Sequence, residues 1–588
     1  MKHKLPFGAT VHEYRPEDRA AFLAWVAQPR PYLAVDTETT GLEGGDTVRL
    51  VQLGDADTAW VLRADRDAAV IAEVLRTYRH FIAWNAAFDT EKLDALTGVN
   101  ILDRTNDTAI LAGILDPRGD YQGGIGRGLK QWAVHCVGST ASQPEEQRKA
   151  LWRDNGWTES QGWAQVAIDH PVYVRYAGAD PVLTYRVHRH LADQVRDRAP
   201  AVRREQQVMR ITARTRATGF LLDADYTETL RSHHADALAA TMAELAPMGI
   251  TSLGSSQQIA DRLAEEGLEG LIEHTDLGNV SVPKSVLKKA AAAGSDTASL
   301  IKAGKLHKRI SRDLCETFQS AARFDGRVHP GLRPIGAKTR RMSCSAPNLQ
   351  SVPKDKDPRT PVRGCFIPEP GHLLVAADFS QMELRYAAHI SGDPRLIVDI
   401  LNAADIMLEL AEQIWPGNGL AMRQSAKIAL YATLYGAGVR LLADVLGLTY
   451  DDARRFRTGL SARYPVLWNK LQQVQASVRA TGGVLLPLSG FLPTRADKPH
   501  VGFNLVVQGG CRDAFGDRLV ALDRAGVTPM LRMLIHDEVV LSAPRNDVVD
   551  VIDTLRTDMP ITTEDGLHIP VSTKTGRSWG HLHDYPQP

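Results

Sequence analysis

Carboxylates stand at several points of this sequence where they are costly unless something uses them. The segment "MLIHDEVVLS", residues 533–542, reads mostly as a buried strand with His536, Asp537 and Glu538 at its middle. A buried carboxylate without a partner or a metal is strongly disfavoured. In "YLAVDTETTGL" a strand ends in Asp36 and Glu38. Residues two apart share one face of a strand, so both carboxylates point the same way and require a neutralising cation. "WNAAFDTEKL" places Asp89 on a helix after a short strand, and "YVRYAGADPVLTY" places Tyr176 and Asp180 four apart on one helical face. In "LLVAADFSQMELRYAAHI" a strand, 373–377, delivers Asp378, with Glu383 and Arg385 on the turn and helix that follow. Each has a plain structural alternative: a solvated strand end, or Asp378 as a helix N-cap.

A different pattern lies in "RQSAKIALYATLYGAG". Its alanines and leucines make a good helix. Arg423, Lys427, Tyr431 and Tyr435 recur every four residues, and each such step overshoots a full turn by about 40°, which gives one slowly drifting stripe. Two cations followed by two aromatic rings suit a nucleoside triphosphate, with phosphates on Arg and Lys and the base on a ring. A solvated helix edge with two core tyrosines would look the same.

The elements that must hold these groups follow from the patterning. Residues 31–60 alternate short apolar runs with turn residues, as successive strands do. Residues 66–115 read as helices around another strand, "FIAWN", so the first ~200 residues form an α/β domain. The glycine-rich loop "PRGDYQGGIGRGL" leads to Lys130. Leu129 separates its last glycine from the lysine and no Ser/Thr follows, so it is not a phosphate cradle. Residues 183–320 are mostly helical, strands return at 326–385, helices occupy 386–482, and 484–588 is mixed. A chain of 588 residues suits three to five domains at roughly 100–200 residues each. Lys+Arg and Asp+Glu are both 69, so any polyanion must be held by local patches. Five scattered cysteines without a CxxC argue against a zinc ribbon. The N-terminus lacks the apolar core of a signal peptide, and no apolar run approaches the ~20 residues of a membrane span. A soluble protein of a reducing cytoplasm is expected.

These motifs carry a resemblance. Asp36-x-Glu38, Asn85-x-x-Phe-Asp89 and Tyr176-x-x-x-Asp180 resemble, in order, the three motifs of proofreading-type 3′–5′ exonucleases. Asp378-x-Ser-Gln381-x-Glu383-Leu-Arg, then Arg423-x-x-x-Lys427 with Tyr431 and Tyr435, then His536-Asp537-Glu538 are similar to the three polymerase motifs of family A DNA polymerases. "TRRMSCSAPNLQSVP", "ARYPVLWNKL", "FNLVVQGG" and "GRSWGHLH" match further islands. The resemblance implies a ribonuclease-H-like exonuclease domain (1–200), then a right-hand polymerase: thumb (201–325), first palm part (326–385), fingers (386–500) and second palm part (501–588). It implies two Mg²⁺ per active site, with Mn²⁺ as an admissible substitute. Asp36, Glu38, Asp89 and Asp180 would bind one pair, with Tyr176 orienting the attacking water; Asp378 and Asp537 would bind the other, supported by Glu538. Arg423 and Lys427 would bind the triphosphate, Lys427 also placed to act as general acid. Tyr431 would pack the incoming sugar and base, Tyr435 and Glu383 would guard the nascent pair, and Gln381 would belong to the substrate site. His536 would touch the primer terminus, and Arg341, Asn504 and Gln508 the minor groove near it. Primer-template DNA and deoxynucleotides are the implied partners of a monomer, in DNA replication.

The chain departs from the family pattern at Arg340 (usually Gly), Met407 (commonly His), Ala432 (usually Gly) and His500 (commonly Arg). These put nucleotide affinity and processivity in question. Lys305, Lys308, Arg309 and Arg312 fall at i, i+3, i+4 and i+7, a basic helix face that suits duplex phosphates or plain solvent. "HLH" at 581–583 is expected to be structural. With only ~25 residues before the exonuclease and no 5′-nuclease domain, the form resembles phage-encoded members, which would act in the host cytoplasm.

Overall fold

The alternating runs of the first hundred residues pair into one sheet. In the computed structural model, which describes residues 1–41, 45–275, 277–354, 361–402 and 405–585, this sheet has seven strands. They are β1 (Lys2–Lys4), β2 (Thr10–Glu13), β3 (Leu33–Thr39), β4 (Val48–Gly54), β5 (Thr58–Arg63), β6 (Phe81–Ala83) and β7 (Thr105–Asp107), in the order β1-β2-β5-β4-β3-β6-β7. β3 pairs antiparallel with β4 and parallel with β6. The sequence suggested no strand before residue 31 and none at 105–107. Those three strands are too short and too polar to show a period of two. Helices α1 (Ala86–Thr97), α2 (Leu129–Val137) and α3 (Pro171–Gln194) complete this layer. α3 packs across β3, β4 and β5. Its Gly178 permits the approach to β2, since a Cβ there would meet Val11 Cγ1 at 2.3 Å.

Helices dominate from Ala199 to Ala321. Within them Leu245, Ile259, Leu263, Val286 and Ile301 build a small core of their own. The basic face is altered here. Residues Arg309–Glu316 form a π-helix, which breaks the α-helical spacing assumed for Arg312. Lys308 and Arg312 are exposed, Lys305 and Arg309 are half-buried, and Arg309 Nη2 donates to the Ser351 carbonyl at 3.1 Å.

Most of the remaining buried apolar residues share one core, with a small second cluster of Val478, Val484, Leu486, Leu492, Leu505 and Val506. The sheet of the main core comprises β8 (His372–Phe379), β9 (Leu531–Ile535), β10 (Glu538–Pro544), β11 (Val571–Gly576) and β12 (Leu582–Asp584), in the order β9-β10-β8-β11-β12 with all neighbours antiparallel. β8 is central and buries Leu374 to Ala377 on both faces. Helices α4 (Met382–Ser391), α5 (Gly419–Leu434) and α6 (Gly502–Arg524) contribute buried residues to the same core. Of "HLH", Leu582 and His583 lie in the edge strand β12 and His581 just precedes it. Among the described residues no helix is long and apolar enough to cross a membrane.

Candidate active sites

The "HDE" run is a hairpin, not one buried strand. Ile535 of β9 sits opposite Glu538 of β10, so His536 and Asp537 form a two-residue turn, with His536 at φ +57°. Such turns take left-handed backbone to match the strand twist. The turn lifts Asp537 to the end of the sheet, where Asp378 closes β8 between Glu538 and Ser572. Burial and the charge of Asp378 push Asp537 up to about 7. Burial also raises Asp378 and Glu538. Asp378 is a strand residue and caps no helix; the N-cap of α4 is Gln381, at φ +53°. That sharp turn sets Glu383 in the first turn of α4, where it pairs with Arg341.

Two cavities meet these carboxylates. One, of about 320 Å³, is lined by Asp378, Glu538, Lys354, Arg363 and Lys574. Lys354 Nζ stands 3.9 Å from Glu538 Oε2. No sequence signal marked those three cations. The other cleft joins Arg341, Glu383, His536 and Asp537 to Cys511, Arg512 and Phe515 of α6. Asn504 and Gln508, one turn apart on α6, are half-buried on the same helix stripe, and Asn504 Oδ1 has no partner among the described residues. Burial, then Arg341, lower His536.

The α5 stripe forms as the spacing suggested. Ala426, Ala429, Leu430 and Thr433 are buried, while Arg423, Tyr431 and Tyr435 are half-exposed and Lys427 is exposed. Arg423 pairs with Asp405, the N-cap of the helix Ile406–Ile414. Tyr431 is raised by burial first and then by Glu383 and Asp537. Tyr435 lies just past the helix, its ring centroid 6.1 Å from that of Tyr431.

The four departures are now placed. Arg340, at φ +60° and 2 % exposed, points away from the cleft. Its guanidinium donates to Ser489 O and Oγ, Phe491 O and Ile114 O, tying the first sheet's domain to the second. Met407 is buried. Ala432 is half-buried. The His500 carbonyl packs against Gly436 (φ +90°), where a Cβ would come within 2.2 Å.

In the first domain, ligand atoms of Asp36, Glu38 and Asp180 lie within 4.8 Å of one another. Asp89 stands beside this trio. Its Oδ1 accepts from Thr37 N (3.0 Å) and Thr37 Oγ1 (2.7 Å). Burial raises Asp36 to about 7 and lifts Glu38 and Asp89 well above the carboxylate range, Asp36 adding to both. Tyr176 is raised by burial and by Glu38. Gln52, directly across the strand pair from Asp36, is fully buried, and neither atom of its amide has a partner among the described residues. A crowded set of oxygen donors with an orphaned amide beside it fits divalent cations of the Mg²⁺ class. The missed residue is Lys130. The glycine-rich loop, set aside as a phosphate cradle, delivers it to an ion pair with Asp180.

A family model described as DNA polymerase family A matches residues 224–581, and one described as 3′–5′ exonuclease matches 14–196. The chain is 29% identical over 546 residues to the DNA polymerase of Mycobacterium phage L5, covering 90% of each. It is 26% identical over 595 residues to DNA polymerase I of Chloroflexus aurantiacus, covering 94% of this chain and 61% of that one. The POL domain of Pol1 from M. smegmatis, solved with DNA primer-template and dNTP, shares the fold, with a TM-score of 0.78 at 20% identity over 97% of this chain and 99% of that one. Both families use divalent metals. The chain belongs to DNA polymerase family A and carries a 3′–5′ exonuclease domain, a DNA-directed DNA polymerase with exonuclease activity.

Proposed function

We propose that Asp378, Asp537 and Glu538 form the nucleotidyl-transfer site, and that Asp36, Glu38, Asp89 and Asp180 form the exonuclease site. The observation that carries the first assignment is the hairpin that brings Asp537 to the end of the sheet beside Asp378. Two Mg²⁺ bound at each site supply charge neutralisation of the transition state and activation of the attacking oxygen. Arg423 and Lys427 hold the triphosphate of a deoxynucleotide; Arg423 exchanges Asp405 for phosphate as it does so. Lys427 then protonates the leaving pyrophosphate. Tyr431 packs the sugar and base, and Tyr435 bounds the pair. Glu383, held by Arg341, excludes a ribose 2′-hydroxyl. Gln381 turns the chain so that Glu383 reaches the site. His536 meets the primer terminus, and Arg341, Asn504 and Gln508 follow the minor groove, whose acceptors look alike across correct pairs. In the exonuclease site Tyr176 orients the water. The units are exonuclease (1–200), thumb (201–325), fingers (386–500) and a two-part palm (326–385, 501–588); cores of their own support the exonuclease and the outer part of the thumb, while palm and fingers share one core. Lys308 and Arg312 contact duplex phosphates. The reading places the protein in replication, in a bacterial cytoplasm.

The test is a labelled primer on a longer DNA template with Mg²⁺, with and without the four deoxynucleotides, using wild type and Asp378→Ala. Extension with nucleotides, shortening without them, and loss of extension alone in the variant are expected. Extension by Asp378→Ala at the wild-type rate would overturn the assignment.

A further inference from the structure

The exonuclease carboxylates already hold a cation of the chain's own. Lys130 is the second residue of α2, just after the loop glycine Gly128 that caps that helix. Its side chain is 16% exposed and its ammonium pairs with Asp180 Oδ1. Nζ also lies 4.7 Å from the ring centroid of Tyr176, as a cation over a π face. It therefore touches the carboxylate that completes the Asp36–Glu38–Asp180 cluster and the tyrosine assigned to the water. Behind it Arg148, with a side chain 4% exposed and its guanidinium 5.2 Å from the same ring, is already paired with Glu159 at 3.0 Å.

We propose that Lys130 is a further catalytic residue of the exonuclease, one that occupies the metal cluster before loading and meets the scissile phosphodiester after it. The proposal rests on the assignment of Asp36, Glu38, Asp89 and Asp180 as the exonuclease site. Its first ground is charge. Four carboxylates are neutralised in full by two divalent cations, so the loaded site without Lys130 would be neutral toward an incoming phosphodiester anion. The ammonium supplies the surplus positive charge, which counts most as the transition state gains negative charge. The second ground is competition. An ammonium bonded to a metal ligand must be displaced when that ligand takes a cation, so Lys130 weakens metal binding while it strengthens turnover. In the reaction the water oxygen bonds to phosphorus and the P–O3′ bond breaks. One water proton ends on the 3′-oxygen and the other leaves the product phosphate for solvent. Lys130 keeps its proton throughout and contributes only field and hydrogen bonds. A purely structural lysine would lower metal affinity and turnover together, or neither.

The test measures Mn²⁺ binding by EPR on the full chain carrying Asp378→Ala and Asp537→Ala, so that only the exonuclease carboxylates report. It compares that chain with and without Lys130→Met, Lys130→Arg or Asp36→Ala. Shortening of single-stranded DNA at saturating Mn²⁺ is measured alongside, and primer extension by Lys130→Met in the otherwise wild-type chain checks folding. Lys130→Met is expected to bind Mn²⁺ ~10-fold more tightly, since a competing positive charge is gone. It is expected to shorten DNA ~100-fold more slowly, the usual loss for one charge-stabilising donor. Lys130→Arg should recover part of that rate. Unchanged Mn²⁺ affinity, or an unchanged saturating rate, in Lys130→Met overturns the proposal. If Asp36→Ala also retains Mn²⁺ binding and shortening, the site assignment itself has failed.

Discussion

Replacing Asp537 by Asn should stabilise the metal-free protein while destroying its polymerase activity. Asp537 is raised from 3.8 to about 7 by burial and by Asp378. A group whose folded pKa lies above its unfolded value favours the fold at low pH, and that contribution is lost as pH rises through the folded pKa. Between pH 4 and 7 the folded protein thus holds a proton that the unfolded chain has released. At pH 8 the ionised carboxylate costs the fold roughly three pKa units, or ~4 kcal/mol at about 1.36 kcal/mol per unit. At pH 5 most of the folded protein still carries the proton, and the cost falls to ~2 kcal/mol. Asparagine keeps the shape and never ionises. Thermal denaturation in EDTA should therefore show Asp537→Asn melting above wild type at pH 8, by a margin that roughly halves at pH 5. Added Mg²⁺ should then reverse the order, because binding to the native state stabilises wild type by mass action. A variant that melts with or below wild type at pH 8 in EDTA would show that Asp537 is not held at a carboxylate's expense, and the metal-cluster reasoning would fail with it.

Other perturbations separate the remaining roles. Arg340→Gly relieves a left-handed residue by ~1–2 kcal/mol but leaves the buried Ser489 carbonyl without its donor at ~1–3 kcal/mol and leaves only the longer bonds from Arg198 on the Ile114 and Phe491 carbonyls. The melting temperature should fall while KM for deoxynucleotides holds, and a raised KM would put Arg340 in the substrate site after all. Asp89→Ala should abolish shortening of single-stranded DNA and leave primer extension intact, read on one gel. Tyrosine at position 431 should let dideoxynucleotides be incorporated nearly as well as normal ones. Tyr431→Phe should then discriminate against them by ~10–100-fold, the worth of one hydrogen bond near charge, as single-nucleotide incorporation rates would report. Lys308→Ala and Arg312→Ala should each weaken duplex binding and flatten the log–log salt dependence by ~0.9, measured by fluorescence anisotropy.

What the sequence by itself determined is the set of groups proposed to react. Asp36, Glu38, Asp378 and Asp537 were legible because metal-assisted phosphoryl chemistry needs oxygen donors at element ends, and short local spacings such as Asp-x-Glu survive into the fold unchanged. The α5 stripe was legible for the same reason, since a helix converts a spacing of four into one face without help from its surroundings. Tertiary structure alone decided which distant groups share a site. His536 and Asp537 became a turn instead of mid-strand residues because pairing β9 with β10 leaves them no partner. Arg312 lost the register of Lys305 and Lys308 because a π-helix from Arg309 onward changes the angle per residue, which apolar periodicity does not record. Lys354, Arg363 and Lys574 line one cavity from three separate segments. Arg340, a misfit by local pattern, found its carbonyls in residues 114, 489 and 491, and Lys130 crossed from a discarded glycine loop to Asp180. Such contacts depend on separations of tens to hundreds of residues, and no local period carries information over that range.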